Sequence, residues 1–111
     1  MQYLLMIWEN EKRFSKGYDQ SEMNEYQAFG KEFAQNIHGG NALQPTVTAK
    51  TVRVRNGKPA TTDGPFAETK EQLGGYYLVE AKDINEAAKI AAKIPGARFG
   101  SIEVRPIMQF S

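Results

Sequence analysis

Apolar side chains recur along this chain with two periods, and the changes of period divide it into elements. Tyr3-Leu4-Leu5-Met6-Ile7-Trp8 is a continuous apolar run of strand length. Such a run suits a strand covered on both faces and predicts a central place in a sheet. Glu9 to Gly17 is polar and predicts a loop. Asp19 and Glu22 then form a capping pair, and Met23, Tyr26, Phe29, Phe33 and Ile37 recur at helical spacing. The pattern predicts an amphipathic helix of about four turns ended by Gly39-Gly40. Thr46 to Arg55 alternates, with Val52 and Val54 on one face and Arg53 and Arg55 on the other. Asn56-Gly57 follows, the dipeptide that best accepts the positive φ angles of a tight hairpin turn. Lys58 to Thr62 is the expected return strand, held to an edge by Pro59.

The polar stretch Ala67 to Leu73 predicts one irregular helical turn. Gly74-Gly75 then opens an apolar strand, Tyr76 to Ala81. Asp83 and Glu86 make a second capping pair before Ala87, Ala88, Ile90, Ala91 and Ile94, and Pro95-Gly96 stops that helix. Ser101 to Ile107 alternates again and predicts a final strand. Two helices are too few to cover both faces of a sheet, so the order implies an α+β fold with both helices on one face. The other face then carries apolar residues that a second copy would cover, sheet against sheet.

Composition narrows the chemistry. At 111 residues the chain fits a single domain, 1–111. Cysteine is absent, which excludes disulfides, thiolate catalysis and cysteine-ligated metals, and His38 is the lone histidine. No run approaches the length of a membrane span, and no basic leader precedes the first strand, so a cytoplasmic protein is expected. The net charge of +1 is unevenly placed: residues 33–62 hold Lys50, Arg53, Arg55 and Lys58 and no acid. This cluster is short and lacks interleaved aromatics, so nucleic acid is not an expected partner.

The segment Thr61-Thr62-Asp63-Gly64-Pro65-Phe66-Ala67-Glu68-Thr69-Lys70-Glu71-Gln72-Leu73-Gly74-Gly75-Tyr76-Tyr77 resembles the signature of the DGPF proteins, within the YCII-related family. The segments Tyr3 to Ile7, Thr51 to Arg55 and Ser101 to Pro106 resemble that family as well. The resemblance implies a ferredoxin-like antiparallel sheet with two helices on one face, paired into a dimeric α/β barrel. It also implies a bacterial setting, in which DGPF proteins are often encoded beside extracytoplasmic-function sigma factors. Other YCII-related proteins carry a His-Asp pair near the first helix. Here Ser21 to Tyr26 holds no histidine, and no aspartate follows His38 before Asp63, so that pair is not carried over.

The candidate chemistry centres on the loop after the hairpin. As structure, Asp63 would accept backbone N–H bonds, Gly64 would supply an unusual φ, Pro65 would fix the exit and Phe66 would plug the core. As a site, Asp63 or Glu68 would move a proton, and Lys70 or Arg105 would stabilise the resulting anion, with no metal and no cofactor. Arg53, Arg55, Arg105 and Tyr76 are the expected substrate-binding groups, if the sheet face they share lines a pocket. His38, expected in the last turn of the first helix, is either a proton shuttle or a helix-end charge. The function expected is binding of a small molecule in a cleft between sheet and helix or at the dimer seam, with acid/base turnover by carboxylates. The alternative is a non-catalytic regulatory or binding module acting with a sigma factor.

Overall fold

In the computed structural model, which describes residues 1–110, a four-stranded antiparallel sheet carries both helices on one side. The strands and helices are β1 (Gln2–Glu9), α1 (Gln20–Glu32), β2 (Ile37–Ala42), β3 (Lys50–Arg55), β4 (Lys58–Asp63), β5 (Gln72–Glu80), α2 (Ile84–Ala91) and β6 (Ser101–Pro106). The sheet order is β2-β5-β1-β6. With β3 and β4 set aside, this is a βαββαβ chain whose first and third sheet strands are central, the ferredoxin-like arrangement. The apolar run of β1 lies in the middle as its pattern predicts, paired with β5 on one side and β6 on the other.

Alternation along β1 sorts its side chains. Tyr3, Leu5 and Ile7 point to the helices and form one core with Phe29 of α1, Val79 of β5, and Ala87, Ile90 and Ala91 of α2. The small alanines let α2 lie close to the sheet. Asp83 starts this helix by accepting from the Glu86 N–H at 2.9 Å, while Glu86 accepts from the Lys82 N–H at 3.1 Å. Asp19 caps α1 through the Ser21 N–H at 3.0 Å, but Glu22 turns away from the cap to Arg13.

Three sequence expectations are corrected. The first helix stops at Glu32, because Asn36 bonds across to β5: its carbonyl accepts from the Glu80 N–H at 2.8 Å, and its amide donates to the Glu80 carbonyl at 3.0 Å. Ile37 to Ala42 is therefore a strand, and His38 is exposed at an irregularity of β2 instead of closing a helix. Gly39-Gly40 is not a helix stop. A Cβ at Gly40 would stand 2.7 Å from the Tyr76 carbonyl oxygen and 2.8 Å from the Tyr77 ring, so the glycine lets β2 approach β5. The stretch Ala67 to Leu73 forms no helical turn; β5 already begins at Gln72.

The hairpin is formed as expected, with Asn56 at φ 53° and Gly57 at φ 75° in its turn. It does not join the main sheet. β3 and β4 make a separate two-stranded ribbon, an arm inserted between β2 and β5. Among the described residues no helix is long and apolar enough to cross a membrane.

Candidate functional site

A cleft of about 650 Å³ opens where the arm leaves the body. One wall is the short 3₁₀ turn after β1 (Asn10, Glu11, Lys12); the other is the arm's base and the segment leading to β5. The arm is tethered by Glu11, whose carboxylate accepts from the Thr46 N–H at 2.7 Å and from the Thr46 hydroxyl at 2.6 Å. Farther along, the Gly64 N–H donates to the Ala49 carbonyl at 2.7 Å and the Thr51 hydroxyl to the Gly64 carbonyl at 2.9 Å. These bonds hold Asp63 and Gly64 in the wall.

Asp63, Glu68 and Lys70 all line this cleft, together with Thr69 and Gln72. Asp63 is 86% exposed at its side chain and pairs with Lys50 at 2.8 Å. Among the described residues its carboxylate accepts from Lys50, directly opposite in the hairpin register, and from no backbone N–H. Gly64 takes φ 96°, as the structural reading of the loop expects. Phe66 does not plug the core: it is 80% exposed. The Gln72 amide fastens the loop, donating to the Ala67 carbonyl at 3.0 Å.

The expected binding groups do not converge. Arg53 and Arg55 lie on the arm, on a sheet separate from Arg105 and Tyr76. Arg105 pairs with Glu103 on the sheet face opposite the helices. Tyr76 lies on that same open face, its hydroxyl accepting from the Asn41 amide at 3.0 Å. The four share no face, because the hairpin forms a sheet of its own. Neither α1 nor α2 lines the cleft, so it does not lie between sheet and helix.

A second cluster escaped sequence reading. The Arg13 guanidinium donates to both Glu22 oxygens at 3.0 Å, reaches Glu9 at 3.5 Å, and stacks 3.8 Å from the Phe99 ring centroid. Glu9 and Glu22 are both buried. Burial pushes the Glu9 carboxyl above its ordinary range; Arg13 opposes this and Glu22 reinforces it. Burial also drives the Tyr26 phenol well above its ordinary range, with Glu9 adding to the effect. The cluster fixes the turn that supplies Glu11. Its one sequence signal, a charged run after an apolar strand, is also that of an ordinary loop.

The family model for the YCII-related domain matches residues 1–111. The chain belongs to the YCII-related family. An uncharacterised protein of Rhizobium meliloti is 35% identical over 114 residues, an alignment that takes in 96% of this chain and 92% of that protein. Among solved structures, the fold is similar to 5-chloro-2-hydroxyhydroquinone dehydrochlorinase from Burkholderia phenoliruptrix, in complex with 2,5-dihydroxybenzoquinone. The TM-score is 0.59 at 13% identity, covering 99% of this chain and 96% of that one. At that identity the likeness carries the α+β fold alone.

Proposed function

We propose that this YCII-related chain binds a small, oxygen-rich molecule in the cleft at the base of the arm and moves a proton on it. The observation that carries this reading is the convergence of Asp63, Glu68 and Lys70 on one cleft of about 650 Å³, a size ordinary for small ligands. Lys70 would hold the ligand's anionic oxygen, with Lys12 across the cleft as a second cation. Glu68, free of any ion pair among the described residues, would accept a proton from an acidic hydroxyl, and the Lys70 ammonium would stabilise the anion left behind. Asp63, paired with Lys50, would orient the ligand. The neighbouring dehydrochlorinase, bound to a dihydroxybenzoquinone, gives this ligand class as the first to try.

Chemical-shift mapping with 2,5-dihydroxybenzoquinone and a set of small phenols and carboxylates tests the reading. Saturable shifts are expected at Gly64, Thr69 and Lys70, with affinity about tenfold weaker in Glu68→Gln and Lys70→Met. Asp63→Asn should keep the fold and lose affinity. Binding that maps elsewhere, or that ignores all three substitutions, overturns the site. Binding without turnover assigns the chain to the non-catalytic class.

We also propose a homodimer. Leu4, Met6 and Trp8 share the open face of the sheet with Tyr76 and Leu78, an apolar strip bordered by Glu103 and Arg105. An apolar centre with a polar rim is the make-up of an interface between copies.

A further inference from the structure

Between Gly64 and β5 the chain runs along the cleft wall without helix or strand. Among the described residues, its backbone from Pro65 to Lys70 makes no hydrogen bond to another backbone group. A segment so short of main-chain bonds needs another source of order, because each residue held in one conformation loses backbone entropy. Here the source is a side chain. Gln72 donates its amide to the Ala67 carbonyl at 3.0 Å and to the Thr69 carbonyl at 3.3 Å. Ala67 and Thr69 are the two neighbours of Glu68. The clamp is itself anchored, since Gln72 opens β5 opposite Glu9, the last residue of the central strand β1. A further tether follows: the Thr69 hydroxyl donates to the Glu71 carbonyl at 2.5 Å, and the Glu71 carboxylate accepts from the Ser101 hydroxyl of β6 at 3.1 Å. Bonded and free residues therefore alternate. Ala67, Thr69 and Glu71 are held, while the Glu68 and Lys70 side chains line the cleft with no hydrogen bond or ion pair among the described residues.

We infer that Gln72 is the positioning residue of the cleft, fixing the backbone on both sides of Glu68 so that this carboxylate meets the ligand's acidic hydroxyl. The inference rests on the proton-accepting role of Glu68 proposed above and adds what aims that group. A primary amide suits the task, because its NH₂ carries two donors and one side chain can serve two carbonyls. An ionised glutamate of the same length has no donor, and methionine has none either. The effect of Gln72 is local to Glu68. Lys70 lies beyond the clamp and is held from its other side by Glu71. Gln72 also lines the cleft, so the competing role is a direct contact with the ligand. The two roles differ in how the substitutions combine: a residue that acts through Glu68 loses its effect when the Glu68 carboxylate is gone, whereas an independent contact keeps it.

The test is a double-substitution cycle read as affinity for 2,5-dihydroxybenzoquinone, with backbone order measured by NMR relaxation. Gln72→Met is expected to weaken binding about five- to tenfold, as befits the loss of two modest hydrogen bonds. It should also lower the order of the Glu68 and Thr69 amides, while Leu5 and Val79 keep their exchange protection. In the Glu68→Gln protein the same change should weaken binding less than about twofold, and in the Lys70→Met protein by the full amount. Gln72→Glu, ionised at neutral pH, should reproduce the loss and serves if methionine disturbs the start of β5. Equal losses in all three backgrounds make Gln72 a ligand contact and overturn the positioning role, leaving Glu68 in place. Equal coupling to Glu68 and Lys70, unchanged order at Glu68, or lost core protection in both Gln72 variants overturns it as well. If dihydroxybenzoquinone does not bind, or binds Glu68→Gln as tightly as wild type, the reading of the cleft and this inference fall together.

Discussion

Glu11 grips Thr46 through both its backbone N–H, at 2.7 Å, and its hydroxyl, at 2.6 Å, and so ties the turn after β1 to the root of the arm. Hydrogen bonds to a charged acceptor contribute about 1.5–3 kcal/mol each when shielded, and less where water competes. Glu11→Ala should therefore free the arm locally. Amide exchange at Thr46, Ala49 and Gly64 is expected to accelerate at least about tenfold, while core amides such as Leu5 and Val79 keep their protection. Equal acceleration in the core would show that Glu11 supports the whole fold.

Arg13 separates two buried carboxylates, and its removal leaves both without their cation. Breaking a buried pair typically costs about 3–5 kcal/mol, but the Arg13 side chain is 29% exposed and water compensates in part. Arg13→Met should cost about 2 kcal/mol in urea unfolding. Arg13→Lys should recover only part of this, since an ammonium does not stack flat on the Phe99 ring as the guanidinium does.

Glu9 gives the stability a pH dependence of known sign. Its carboxyl binds a proton more tightly folded than unfolded, so its contribution is fully present below the unfolded value of 4.5 and is lost as pH rises through the raised folded value. Glu9→Gln removes this effect. The difference in unfolding free energy between Glu9→Gln and wild type should shift in favour of the variant as pH rises from 4 to 7. A flat difference would mean that Arg13 already cancels the burial cost.

Gly40 is where β2 comes closest to β5. Gly40→Ala would place a carbon 2.7 Å from a backbone oxygen that cannot swing aside. The expected cost is about 1–3 kcal/mol, with the lost protection concentrated in β2. A thermal midpoint equal to wild type would mean that the edge strand shifts freely.

The strength of each local signal decided what could be read from sequence. The apolar run of β1, the Asn56-Gly57 turn and the alanine stripe of α2 each have one physical solution, and all three are formed. Gly39-Gly40 had two solutions, a helix end or a close strand approach, and only the position of Tyr77 selects between them. The arm was legible as a hairpin, but pairing between distant strands is not written in local pattern, so its separation from the sheet was not. Asp63, Glu68 and Lys70 meet in one cleft because they flank a single loop, close in sequence as well as in space. Glu11 and Arg13 were missed because their partners, Thr46 and Glu22, lie across the fold and identical charges in a solvated loop look the same.

The place of β1 has a consequence for synthesis. Both of its neighbours come from the distal part of the chain, and Tyr3 faces Pro106 at the far end of the register. A nascent chain therefore carries its greasiest segment with nothing to pair against until β5 and β6 have emerged. Chaperone capture of the unpaired β1, and poor tolerance of deleting β6, are built into the topology.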